Sequence, residues 1–221
     1  LSTNQTGAYN IAIGDGALVD STSSANVAVG YLAGYENSSG QNNTSVGAYA
    51  LKEVTTGSNN IGIGNQAGDA LTTGGNNIII GYQAAAAAVD SANSVTLGNS
   101  SIAAIRCQVQ TISALSDERD KTDIVDLTQG LDFINDLRPV QFEWNMRDGG
   151  KVGIQDFGFI AQDLDETQQK HDAEDHLQLV LKDNPEKLEA AYGKLVPVLV
   201  KAVQELSDEV KSLKEKLNER T

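Results

Sequence analysis

Proline is nearly absent from this chain, with three residues in 221 and none before Pro139. Tryptophan and methionine occur once each, aromatics make up 5 % of the residues, and Cys107 is the single cysteine. One cysteine excludes an intrachain disulfide and leaves the redox compartment open. Basic residues are also scarce, 16 against 30 acids. The resulting net charge of −14 is the opposite of the basic footprint that phosphate backbones recruit, so no nucleic-acid partner is expected. No apolar run approaches the roughly 20 residues that span a bilayer, so no membrane insertion is expected. No signal-peptide pattern opens the chain. Leu1 is not a natural start, which makes a piece of a longer protein the expectation.

What is present divides sharply in two. Residues 1–115 hold 15 of the 21 glycines and only eight charged side chains. Residues 116–221 hold all three prolines, Trp144 and 38 charged side chains. The first half repeats itself, as Asn10-Ile-Ala-Ile-Gly14, Asn26-Val-Ala-Val-Gly30, Asn43-Thr-Ser-Val-Gly47, Asn60-Ile-Gly-Ile-Gly64 and Asn77-Ile-Ile-Ile-Gly81. The period is 16 or 17 residues, and a looser copy, Asn93-Ser-Val-Thr-Leu-Gly98, closes the series. Apolar pairs such as Ile11/Ile13 and Val27/Val29 alternate with period two, the pattern of a half-buried strand. An alanine three residues after each of the first five glycines (Ala17, Ala33, Ala50, Ala67, Ala84) gives a small inward residue on a second segment. Gly/Asn/Ser/Thr clusters supply the turns.

Rungs this short gain a core only by stacking. With small apolar residues that core is thin, and association of several chains adds the missing buried surface. The array resembles the head region of trimeric adhesins over about residues 4–98, which implies a β-roll in which three chains pack side by side. Gly62-Ile-Gly64-Asn-Gln-Ala-Gly68 lacks the spacing of a phosphate loop. Tyr31, Tyr35 and Tyr82 are candidates for stacking on the sugars of a host carbohydrate receptor. Surface tyrosines at turns are the plainer reading.

In the second half, Leu127, Leu131, Ile134 and Leu137 form a helical stripe that Pro139 ends. Val140–Trp144 and Gly153–Ile160 read as two strands about an Asp148-Gly-Gly150 turn. Ala161–Glu166 reads as a short helix or turn and Thr167–Asp175 as a polar loop. Upstream, Ile105–Ile112 alternates as a strand would. Tyr192, Val196, Leu199, Val203, Leu206, Val210, Leu213 and Leu217 step by four and three, a heptad seam on a final helix. An amphipathic helix docked on its own domain is the alternative. His171 and His176, amid acids, lie on a solvated face; no metal and no cofactor is expected.

Four ordered segments carry a specific resemblance. They are Ser116-Asp-Glu-Arg-Asp-Lys-Thr-Asp-Ile124, Leu137-Arg-Pro-Val-Gln-Phe-Glu-Trp144, Phe157-Gly-Phe-Ile-Ala-Gln-Asp163 and Leu195-Val-Pro-Val-Leu-Val-Lys-Ala-Val-Gln-Glu-Leu206. Together they resemble the C-terminal intramolecular chaperone domain of phage tail spikes and tail fibres, the endosialidase type. The resemblance implies a homotrimer in a phage virion, made in the host cytoplasm, whose chaperone aligns three chains and then cuts itself off. It makes Ser116 the nucleophile and Lys121 its base, with the scissile bond at Leu115–Ser116 or Ser116–Asp117. The family usually has an apolar residue before the lysine, where this chain has Asp120, a carboxylate that opposes deprotonation. Taken alone, the nonapeptide also reads as Ser116 capping a helix with acids in its first turn.

A five-residue spacing puts Ser116 and Lys121 on different faces of a helix and opposite faces of a strand, so their meeting requires a bend. The expected architecture is a trimeric all-β solenoid or β-roll (1–98), a β-rich connector (99–115), a small α+β chaperone domain (116–190) and a coiled-coil helix (191–221). Two rivals remain. One is a permanent trimerisation cap with an inert Ser116. The other is a bacterial adhesin head, which leaves the Leu137–Trp144 and Phe157–Asp163 segments unaccounted for.

Overall fold

The computed structural model describes residues 6–108, 112–147 and 149–220. The chain forms two compact units, Leu1–Ile105 with Asn145–Val152, and Arg106–Trp144 with Gly153–Thr221.

The first unit is a β-solenoid. Its strands are β1 (Ile11–Ile13), β2 (Val27–Val29), β3 (Thr44–Val46), β4 (Ile61–Ile63), β5 (Ile78–Ile80) and β6 (Val95–Leu97). They pair in parallel in chain order, each rung in register with the next, as Ile11 with Val27 and Ile61 with Ile78. The repeat glycines end the strands in a conformation that side chains resist: Gly47 has φ +128°. A Cβ there would lie 2.5 Å from the carbonyl oxygen of Gly64 in the next rung.

Three expectations meet corrections here. The apolar pairs face outward: Ile11, Ile13, Ile63, Ile78, Ile80, Val95 and Leu97 are all exposed. The middle residue of each strand turns inward instead, with Ala28, Ser45 and Ile79 buried. Period two fixes alternation but not direction, and the interior takes the middle residue of the strand, small at Ala28 and Ser45 and large at Ile79, rather than the flanking pair. The alanines at 17, 33, 50, 67 and 84 are buried as expected. Leucine and glycine interleave around them, since a Cβ on Gly62 would meet Leu51 Cγ at 2.6 Å.

The second correction concerns asparagine. The Asn of each repeat is not a turn residue but a buried ladder. Asn26, Asn43, Asn60 and Asn77 each accept the backbone N–H of the next rung on Oδ1, at 2.9–3.2 Å. Each also donates from Nδ2 to a carbonyl of the adjoining turn, those of Gly40, Gly57, Gly74 and Ser91. In the last rung Ser94 takes the ladder place, and Asn93 lines up with Asn76 in an outer row. The third concerns the connector. Among the described residues no strand forms between Leu97 and Val140. Ile105–Gln108 lie outside any ladder, and residues 109–111 of the expected strand fall outside the described set.

The second unit is small and mixed. Helix α1 (Leu131–Asp136) begins later than its apolar stripe suggests, because Leu127 packs on the core from non-helical chain. Gly130 offers no capping side chain, and Glu205 Oε2 from the final helix accepts the Leu131 N–H at 2.7 Å. Strands β7 (Val140–Asn145) and β8 (Val152–Gly158) form a two-stranded hairpin, near the expected bounds; Asp148 of its turn is outside the described residues.

Helix α2 (Ala161–Lys170) runs on through the segment read as a loop, and α3 (Glu174–Leu177) follows. The reason is Gln168. It is fully buried, takes the Leu179 N–H on Oε1 at 2.9 Å and donates to Asp165, so its polarity is met inside the helix packing. A short ladder, β9 (Val180–Leu181) with β10 (Glu189–Ala190), leads through a 3-10 turn at Tyr192–Lys194 into α4 (Leu195–Asn218). Pro197 sits in its first turn, where no intrahelical N–H bond is lost.

The core gathers Phe133, Leu164, Ala173, Leu177, Leu179, Val180, Leu195 and Val198. Helix α4 thus has two apolar faces. Leu195, Val198 and Ala202 are buried and dock its first turns on the domain. The heptad residues from Tyr192 to Leu217 lie elsewhere and are 42–66 % exposed.

Candidate functional site

The segment that precedes α1 carries the candidate site. Residues 112–117 run without regular structure, and Leu115 is strongly exposed. A single 3-10 turn, Glu118–Asp120, then reverses the chain. Its cap is Asp117 and not Ser116, which corrects the helix-cap reading of the serine: Asp117 Oδ1 accepts the Arg119 N–H at 2.9 Å. Backbone bonds from Asp120 N to Asp117 O and from Lys121 N to Glu118 O close the turn.

This turn is the bend that the spacing demands. It brings Lys121 Nζ to 2.8 Å from Ser116 Oγ and 3.3 Å from the Ser116 carbonyl oxygen. A hydroxyl and an amine at that separation have the geometry of a nucleophile and its base. Ser116, Lys121 and Asp120 are exposed in the single chain.

Arg119 is held by Asp117. Its Nε donates to Oδ1 at 3.0 Å and its Nη2 to Oδ2 at 2.6 Å. These side-chain bonds, and then the backbone bond, hold the Asp117 carboxyl below its ordinary value, and the Arg119 guanidinium is raised in turn. In the sequence Asp117 stands out only as a flank of the scissile bond. Its acceptor position two residues ahead of Arg119 is the signal that marks it as a cap.

Elsewhere several ionisable groups form structural pairs, such as Arg138 with Asp163 and Lys182 with Asp165. His171 Nε2 and Lys170 Nζ both reach Asp136 Oδ2, at 2.6 and 2.8 Å, and the His171 ring lies against Phe133. Hydrogen bonds from Lys170 and then from His171 lower the Asp136 carboxyl. Among the described residues no group of three or more His, Cys, Asp or Glu could hold a metal ion. No helix among them is long and apolar enough to cross a membrane. Tyr31 stacks edge-on against Tyr49 with ring centroids 5.2 Å apart. Tyr82 is exposed three rungs along, and Tyr35 is half-buried, so the three tyrosines make no common platform.

Searches of the curated proteins and of the solved structures give no match. A family model does match, over residues 116–172, and its description is the chaperone of endosialidase. The match starts at Ser116 and takes in three of the four resembling segments; α3, β9, β10 and α4 lie beyond it. Residues 116–172 of this chain thus match the chaperone-of-endosialidase family, and a β-solenoid precedes them in sequence.

Proposed function

We propose that this chain is the C-terminal region of a phage tail fibre or tail spike, assembled as a homotrimer in the virion. Its chaperone domain aligns three chains, assists folding of the solenoid and is released by one self-cleavage at Ser116. The observation that carries this reading is the 2.8 Å contact between Ser116 Oγ and Lys121 Nζ at the first residue of the matched domain.

The chemistry runs as an acyl shift followed by hydrolysis. Ser116 Oγ attacks the Leu115 carbonyl carbon as Lys121 Nζ, in its neutral form, takes the hydroxyl proton. The Leu115–Ser116 C–N bond breaks, and that proton passes to the departing nitrogen. The Leu115 ester on Oγ is then hydrolysed by water, leaving the Leu115 carboxylate and a Ser116 with free amine and hydroxyl. Attack by Ser116 on its own carbonyl, the within-chain route to cutting Ser116–Asp117, closes a strained lactone ring. The first bond is therefore the one proposed.

Lysine serves as a base only when neutral, a state that desolvation favours. Lys121 is exposed in the single chain, so the burial it needs is supplied by neighbouring chains, and cutting follows assembly. Two exposed apolar surfaces support the trimer. They are the outward ladder of Ile11, Ile13, Ile63, Ile78, Ile80, Val95 and Leu97, and the heptad stripe of α4. Removing the aligning domain makes the assembled solenoid hard to re-register once unfolded, a form of kinetic stability. A carbohydrate on the host surface is the proposed receptor class.

Expression of the chain beside Ser116→Ala tests the reading on denaturing gels. Two fragments near half size from the parent and none from the variant are expected. An intact parent chain after prolonged incubation leaves a permanent trimerisation cap with an inert Ser116 as the better account.

A further inference from the structure

We infer that Asp117, clasped by Arg119, is the positioning residue of the cleavage site: its carboxylate ties the turn that holds Lys121 over Ser116, and Arg119 keeps that carboxylate's charge from the lysine. The inference rests on the self-cleavage reading and adds two residues to it.

Geometry gives the first part. Five residues of extended chain would separate Ser116 and Lys121 by roughly 16 Å. They meet at 2.8 Å only because the chain turns at Glu118–Asp120. No core residue lies in that turn, and all three of its residues are exposed, so packing within the chain does not hold it. Two backbone bonds, Asp120 N–H to the Asp117 carbonyl and Lys121 N–H to the Glu118 carbonyl, close it, and the one side chain that ties it is Asp117, whose Oδ1 takes the Arg119 N–H.

Electrostatics gives the second. An uncompensated carboxylate near an amine favours the amine's protonated form and so opposes its work as a base. Asp117 is the acid nearest Ser116 in sequence, yet both its oxygens face the Arg119 guanidinium. Asp120 and Glu118 show no such clasp, which leaves Asp117 as the acid that the turn can hold close at no cost to the base.

The test uses the full chain and three variants, Asp117→Ala, Asp117→Asn and Arg119→Ala, with the cleavage rate followed across pH. Loss of a cap of this kind is expected to slow cleavage about fivefold or more in Asp117→Ala. Asp117→Asn, which keeps an acceptor for the Arg119 N–H, restores most of that rate. Arg119→Ala frees the Asp117 charge and moves the rising limb of the pH profile to higher pH, a shift that a purely structural role would not produce.

Wild-type cleavage kinetics in Asp117→Ala, or an unmoved profile in Arg119→Ala, overturn the inference. A parent chain that never cuts defeats the self-cleavage reading separately. The positioning part is then read from the NMR cross-peak between the Ser116 β and Lys121 ε protons. That cross-peak is expected in the parent and in Asp117→Asn and lost in Asp117→Ala; its survival in Asp117→Ala overturns the inference too.

Discussion

Replacing Asn60 by alanine is the sharpest test of how the solenoid holds together. Asn60 is fully buried, and its side chain meets two rungs and a turn at once. Nδ2 donates to the Gly74 carbonyl at 2.9 Å, and Oδ1 accepts from Asn77 N at 3.1 Å and Asn77 Nδ2 at 3.0 Å. Alanine keeps the backbone bond to Asn43 Oδ1 but strands the Gly74 carbonyl and the Asn77 N–H. Each buried group left unpaired costs about 1–3 kcal/mol, so the sum is about 2–6 kcal/mol. That is a large part of the 5–15 kcal/mol typical of a whole domain.

Native-state hydrogen exchange suits a stacked array whose global unfolding need not be reversible. Exchange at the amides of Asn77 and Ile78 is expected to accelerate about thirtyfold or more, matching the lower bound of about 2 kcal/mol. The exposed Gln41→Ala, which contributes only backbone bonds, should stay within about 0.5 kcal/mol of the parent. An Asn60→Ala effect as small as that of Gln41→Ala would refute the ladder as a source of stability.

Other outcomes follow from the same geometry. Gly47→Ala places a Cβ at φ +128° and 2.5 Å from the next rung's carbonyl, so a loss of about 1–3 kcal/mol from backbone strain alone is expected in thermal unfolding. Val203→Asp with Leu206→Asp charges an exposed stripe that the domain core does not use; light scattering should show a fall from trimer to monomer with the domain's circular dichroism retained. Asp136 is held below its ordinary value by Lys170 and His171, so its contribution to stability is full above about pH 4 and fades as pH falls through the lowered value. Asp136→Asn should therefore flatten the acid limb of a stability profile of the second unit, while an unchanged limb would assign acid lability elsewhere.

Much of this was legible in the sequence, and the failures share a cause. The repeat announced the solenoid, because Asn-Ile-x-Ile-Gly recurs with one rung's length. It did not tell which strand face turns inward, since alternation is symmetric; the interior takes Ala28 and Ser45 rather than Val27 and Val29. The ladder role of Asn43 and Asn60 depends on the rung above and below, so a turn-residue rule misread it. Helix α1 starts at Leu131 because Glu205, 74 residues away, caps it, and no local pattern carries that. Helix α2 outran its expected end because Gln168, polar in sequence, is buried with partners at Asp165 and Leu179. The Ser116–Lys121 pair was legible from its motif, and so was the need for a bend. The bend's origin in Asp117 and Arg119 emerged only from the geometry.

The central claim is that the chain cuts itself at Ser116 once assembled, and an intact-mass measurement of the purified protein addresses it directly. Two fragments are expected, one ending at Leu115 and one beginning at Ser116, with Ser116→Ala giving the uncut mass alone. A parent sample that holds only the full-length mass after prolonged incubation as a trimer would contradict it.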